Sequence, residues 1–175
     1  DQAEPLAARL EQLVPDQPVT LVRAVPPPPA SAGPALVTRL TDGLAPEIRS
    51  GALTVLSGED GALVIRLDGT AMFARGSAAP RARFRAVIDR IGETLSPEQG
   101  EIMVVGHADD ATGRATVQSL SLARAEAVRA LLAQRMEGER LGAVGHGNTE
   151  PLPPGPDGKR ATGNNRRVDL RLYPR

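Results

Sequence analysis

The order of elements predicts a fold of mixed helix and strand, in which a partly parallel sheet carries two helices on one face. Two long segments, "PRARFRAVIDRIGETL" and "TVQSLSLARAEAVRALLAQRM", repeat apolar residues at helical spacing. Strand-like runs lie before, between and after them: "ALTVLSGEDGALVIRL", "EIMVVG", "RLGAVGHGN" and "NRRVDLRLY". Strands that alternate with helices need crossover connections, and crossovers join parallel strands.

Residues 1–33 are expected to form a Pro-rich tether. "LAARLEQLV" suits a short helix, and "PDQPVTLVRAVPPPPASAGP" carries seven prolines, which favour extended polyproline geometry over packing. Residues 34–61 are expected to add a helix and a strand. Leu36, Leu40, Leu44 and Ile48 recur every four residues, Pro46 starts a last short turn, and Gly51 is the stop. Leu53 and Val55, then Leu63, Ile65 and Leu67, alternate on either side of a Gly-Glu-Asp-Gly turn, which predicts two strands.

The main domain is expected over 62–175. "DGTAMFARGSAAP" reads as a loop. The next helix has Pro80 near its first position and sets Phe84, Val87, Ile88, Ile91 and Leu95 on one face. "EIMVVG" is a buried strand by its β-branched run. "EPLPPGPDGKRATG" is a Pro/Gly loop, and the last strand alternates Val168, Leu170 and Leu172 with charged residues.

Composition excludes several functions. Lys plus Arg equals Asp plus Glu, 21 each, so no overall field draws the chain to nucleic acid or an anionic membrane. Aromatic residues are 2% of the chain, too few for base-stacking platforms. Without cysteine there is no disulfide frame and no thiolate chemistry. No run approaches the roughly 20 apolar residues of a membrane span, and no secretory signal is visible. The opening "DQAEP" lacks a Met, so a fragment is expected, with an anchor or targeting segment removed.

The most informative residue is Arg124. With Leu120 taken as zero and about 100° per residue, Ala127 and Leu131 mark an apolar stripe, flanked by Ala123 and Val128. Arg124 falls inside it, whereas Glu126 and Arg129 point away and Leu122 does not fit. A cation in an apolar stripe needs partners. It sits near the helix start, where unsatisfied N–H groups attract anions. The strand before it ends at Gly106 and leaves through "HADDATG", so Asp109 and Arg124 are expected to be close. Together they offer an acceptor for an ammonium and a fork for a carboxylate, which suits a zwitterion. The same spacing equally suits an Asp–Arg salt bridge that closes the loop.

Other readings fit these residues less well. His107, Asp109, Asp110 and His146 have a zinc-like composition, but each histidine can instead satisfy backbone groups at a strand end or turn, and no metal is expected. Ser121 lacks a histidine base at helical spacing, and the carboxylates of Asp109 and Asp110 diverge, so no catalytic residue is expected.

"VVGHADDATG", "LSLARAEAVRALL", "GHGNTEPLPP" and "NNRRVDLRL" resemble the successive signatures of the OmpA-like peptidoglycan-binding domain, from about Leu63 to Leu172. The resemblance implies an α+β fold, a βαβαββ sandwich with a mixed sheet and two main helices. It implies non-covalent binding of peptidoglycan through the diaminopimelate of its stem peptide, with no cofactor and no enzymatic activity. Asp109 of the GHxD motif, with His107 and Ala108 beside it, would receive the ligand amine, and Arg124 its carboxylate. Backbone N–H groups from Thr116 and Val117 to Gln118 would help. Phe73, Gly76 and Ser77 would wall the pocket, and Arg167 would support the loop, leaving Arg166 to solvent. Ala108, Val117 and Ala74 stand where the family usually has Thr, Asn and Asp, so three polar contacts are missing. The segment "RLTDGLAPEIRSGALTVLSGEDGALVIRLDGTAMFARGSA" is similar to the one before this domain in DotU/TssL-type components of type VI secretion systems. This implies the periplasmic part of an inner-membrane protein, held by a membrane span outside this sequence and working with other envelope-complex subunits. The alternatives are a flagellar-stator or outer-membrane wall anchor, or a protein-interaction domain that has kept the fold and lost the ligand.

Overall fold

The computed structural model describes residues 34–58, 60–111, 115–150 and 166–174. The expected tether at 1–33 and the Pro/Gly loop before the last strand lie outside them. Within them the chain runs α1 (Pro34–Gly43), α2 (Ala45–Arg49), β1 (Leu53–Ser57), β2 (Leu63–Asp68), α3 (Gly69–Met72) and α4 (Ala82–Leu95). It continues with β3 (Gly100–His107), α5 (Val117–Leu132), a 3-10 turn (Gly138–Arg140), β4 (Leu141–Gly145) and β5 (Arg167–Pro174). From β2 onward the major elements follow the expected βαβαββ order, an α+β fold.

The five strands form one mixed sheet in the order β1-β2-β5-β3-β4. β3 and β4 are parallel, joined by α5 as the crossover, and the other pairs are antiparallel. Register sets the two faces, because side chains alternate along a strand. Ile102, Val104 and Gly106 stand opposite Leu172, Leu170 and Val168; these six turn toward α4 and α5. Met103, Val105 and His107 stand opposite Arg171, Asp169 and Arg167 on the other face, which carries no helix among the described residues.

On the helix side of β2, Leu63, Ile65 and Leu67 are buried with Phe84, Val87, Ile88, Ile91 and Leu95 of α4. Leu36, Leu40, Leu44 and Leu53 join the same cluster, so residues 34–57 pack on the core that the later elements share. Gly51 ends the first helical pair with a φ of 80°, a conformation that favours glycine.

Three local readings change. The segment after β2 is not all loop: the Asp68 side chain accepts the Thr70 N–H at 2.9 Å and caps the one-turn α3. Pro80 sits before α4, not at its first position, and bridges to Phe73. The buried side of α5 is Leu120, Ser121, Arg124, Ala125, Val128 and Leu132, with Ala127 and Leu131 only half-buried. The helix is therefore rotated relative to the apolar stripe, toward its small residues. No described helix is long and apolar enough to cross a membrane.

Candidate functional site

Two glycines bring the start of α5 onto the strand ends. A Cβ on Gly106 would lie 2.0 Å from the Ser121 carbonyl oxygen, and one on Gly145 would lie 2.4 Å from the Leu122 nitrogen. No side chain fits in either place, so helix backbone meets strand backbone directly. Ser121 Oγ then accepts the Gly147 N–H at 2.9 Å, and the Ala108 N–H donates to the Gly147 carbonyl at 2.9 Å. The exit of β3 is thereby fixed above the first turn of α5. Thr116 caps that turn, its side chain accepting the Ser119 N–H while the Ser119 hydroxyl accepts the Thr116 N–H.

This geometry places Arg124 under the β3 exit loop with 1% of its surface exposed. Its Nη1 and Nη2 donate to the two carboxylate oxygens of Asp110 at 2.7 and 2.8 Å, a bidentate fork. Its Nε donates to the Ser77 carbonyl at 2.8 Å, and Nη2 also to that of Ala74 at 3.3 Å. The guanidinium carbon lies 4.9 Å from the centre of the Phe73 ring, a cation–π contact. Asp110 in turn accepts the Gly76 N–H at 3.1 Å. Burial pushes the Asp110 carboxyl up, but the Arg124 fork, the Gly76 N–H and the charges of Arg124 and Arg166 outweigh it and hold the pKa at about 2.

Asp109 takes the opposite direction. Its carboxylate is exposed and accepts the Nε–H of Arg166 at 2.6 Å. Arg166 Nε is also 3.9 Å from Asp110, so a single chain of charge runs Asp109–Arg166–Asp110–Arg124. The Arg166 guanidinium is held protonated more firmly than usual, first by its bond to Asp109. Its backbone is tied to the end of β2, where the Gly69 N–H donates to the Arg166 carbonyl at 2.7 Å.

The structure brings most of the expected residues to one place but redistributes their partners. Ser77 and Phe73 contact Arg124, Gly76 donates to Asp110, and Thr116 and Val117 begin the helix beside them. Arg124, however, is forked to Asp110 and not to Asp109. The salt bridge that closes the loop is therefore present, made by the neighbouring acid. Ala108 is fully buried, with its N–H taken by Gly147. His107 is not part of the group: its ring lies on the helix-free face, with Nε2 3.9 Å from Asp169. Arg167 also faces away, with Nη2 donating to the Glu150 carbonyl after β4 at 2.8 Å and not to the loop beside Arg124. Asp110 and Arg166 are the two members that the spacing argument did not choose. The divergence of adjacent carboxylates was the available signal for the first, and the paired arginines of "NRRV" for the second. A cleft of about 800 Å³ lies at the other end of β3, around Ser96, Gly100 and Arg140, and touches none of this group.

The sequence profile of the OmpA family matches residues 72–165, more than half of the chain. Among solved structures, the chain is similar to the cell wall anchor of the type VI secretion system from Pseudomonas aeruginosa. Identity there is 30% and the TM-score 0.64, over 78% of this chain and 97% of that one. It is also similar to a putative MotB-like protein from Desulfovibrio vulgaris, at 21% identity and a TM-score of 0.65, over 81% and 93% of the two chains. The periplasmic domain of Helicobacter pylori MotB matches at 22% identity and a TM-score of 0.59, over 70% and 88%. These last two likenesses establish the fold alone. No curated protein sequence matches the chain.

Proposed function

The chain belongs to the OmpA family, and from that membership we propose that it binds peptidoglycan without chemistry and anchors an envelope complex to the cell wall. The proposed ligand is the diaminopimelate of the stem peptide, whose free end carries an ammonium and a carboxylate. The observation that carries this reading is the exposed Asp109–Arg166 pair, set beside the buried Asp110–Arg124 pair at the start of α5. An exposed ion pair is worth only about 0–1 kcal/mol, so a zwitterion can enter it by exchanging charge for charge. Asp109 then receives the ammonium in place of Arg166. The carboxylate goes to Arg166 once it is released, while Arg124, buried and forked to Asp110, holds the loop behind it.

The likeness to the Pseudomonas aeruginosa anchor favours a type VI secretion system as the complex, with a flagellar-stator type of machine as the alternative. The periplasm is the compartment in which this ligand is reached. Residues 1–33 are the tether, 34–61 the extension packed on the core, and 62–175 the binding domain.

Co-sedimentation with diaminopimelate-type sacculi tests the reading. Wild type is expected in the pellet, and Asp109→Ala and Arg166→Ala in the supernatant with unchanged circular dichroism. If Asp109→Ala still pellets, the ammonium site is elsewhere. The filled fork of Arg124 favours a second reading, in which the fold persists as a protein-interaction domain. In that case the wild type itself stays in the supernatant.

A further inference from the structure

We infer that the helix-free face of the sheet carries a site for a divalent transition-metal ion, zinc by its donor set, formed by His107, His146 and Glu150. One ring nitrogen of each histidine and one carboxylate oxygen of Glu150 all lie within 4.8 Å of one another. The two rings meet edge to face, with centroids 5.5 Å apart and planes at 88°. Nδ1 of each histidine is buried and has no hydrogen-bond partner among the described residues. That of His146 is 3.2 Å from Glu150 Oε2, a close charge contact. Buried nitrogens left unsatisfied cost free energy, and a bound cation is an occupant that would relieve that cost.

The donors suit such an occupant. Imidazole binds a metal in its neutral form through a ring nitrogen. Two imidazoles and one carboxylate are a zinc ligand set that leaves a fourth place for water. Magnesium and calcium prefer oxygen donors throughout. Ligands around tetrahedral zinc at about 2.1 Å are about 3.4 Å apart, so the group, whose atoms lie within 4.8 Å of one another, must contract on binding. The Glu150 side chain is 59% exposed, so its carboxylate can turn toward the rings.

The surrounding charges leave Glu150 as the anion of the site. On the same face, Asp169 is forked by Arg66 at 2.9 and 3.2 Å and meets Arg167 Nε at 3.4 Å, and Asp60 accepts from Arg171 at 3.0 Å. Arg167 is directed at the Glu150 backbone carbonyl and at Asp169, whose charge offsets its own. The site opens into a cleft of about 420 Å³ lined also by Met103, Val105 and Val144. It is independent of the wall-binding reading, since none of its ligands belongs to the Asp109–Arg124 group.

The test uses untagged protein stripped with a chelator, because the chain has only two histidines and a tag would add more. Zinc chloride is titrated by calorimetry, cobalt(II) by visible absorption and magnesium as a control. One zinc per chain is expected, with tetrahedral cobalt bands and no magnesium binding. His146→Gln and Glu150→Gln are each expected to weaken zinc by at least about 100-fold, more than the 10–100-fold typical of residues one shell further out. Zinc should also raise the melting temperature of wild type and not of either variant. Both positions are partly exposed, so circular dichroism is expected to stay native; His107, being buried, is not the residue to test first. Absence of saturable zinc binding by wild type overturns the inference, as does unchanged binding by folded His146→Gln.

Discussion

Asp109 and Asp110 are adjacent, carry the same charge, and each holds an arginine, yet the two pairs behave as different objects. Asp110–Arg124 is buried, bidentate and completed by two backbone carbonyls, the Gly76 N–H and the face of Phe73. Asp109–Arg166 is a single exposed contact. Burial makes an ion pair expensive to break and closed to exchange, whereas exposure makes it cheap and open to competitors. A binding site needs the second property at the point of contact and the first one behind it. The buried pair ties the loop of residues 74–77 and the exit of β3 to α5, and so fixes where Asp109 stands.

Removing the buried cation is expected to give the largest effect. Arg124→Ala leaves Asp110 charged, buried and without its fork, and takes a side-chain donor from each of two carbonyls. The expected loss is about 3–5 kcal/mol in urea unfolding. Arg124→Lys recovers charge but not the fork and is expected to fall between the two. A loss below about 1 kcal/mol for Arg124→Ala would place this pair with exposed ones and erase the contrast.

Acid sharpens the comparison further. The folded pKa of Asp110, about 2, lies below its ordinary 3.8. A depressed carboxyl stabilises the folded state fully above the unfolded value, and the gain disappears as pH falls from 3.8 toward 2. Wild type is expected to lose urea resistance across that window. Asp110→Asn, less stable at neutral pH, is expected to lose less of its remaining stability there. Equal pH dependence in the two proteins would show that Asp110 does not supply it.

The fold was legible in the sequence where one face of an element is apolar over several turns or alternations. Leu36, Leu40 and Leu44, the α4 face, and the alternating residues of β2 and β5 all point where the periodicity directs. The rotation of α5 was not legible, because close backbone approach and not apolarity sets it. Ser121 and Ala125 face the sheet where Gly106 and Gly145 leave room, and an apolar stripe gives little weight to such small residues. The burial of Arg124 could be read from its place on the helix. Its partner could not, because the exit loop has no period to say which of two successive acids turns inward. Arg166 reaches Asp109 through the register of β5 on β3, a long-range pairing that local spacing does not report. His107 joins the ligand group by its neighbours in sequence, but strand alternation puts it through the sheet, with Arg167 and Asp169.

The smallest expected effect is the most telling. Asp109→Asn removes an exposed acceptor from Arg166, which solvent can then hydrate, so stability is expected to change by less than about 1 kcal/mol. High salt should act in the same direction on wild type, since at about 1 M the screening length falls to about 3 Å and exposed pairs weaken first. The variant is nevertheless expected to stay in the supernatant when sacculi are pelleted, because an amide cannot replace the carboxylate that an ammonium requires. Binding and stability would then separate at two adjacent residues, one holding the loop and the other meeting the ligand. A stability loss at Asp109 as large as that at Arg124 would mean that both acids are structural. No exchangeable pair would then be left for a zwitterion to enter.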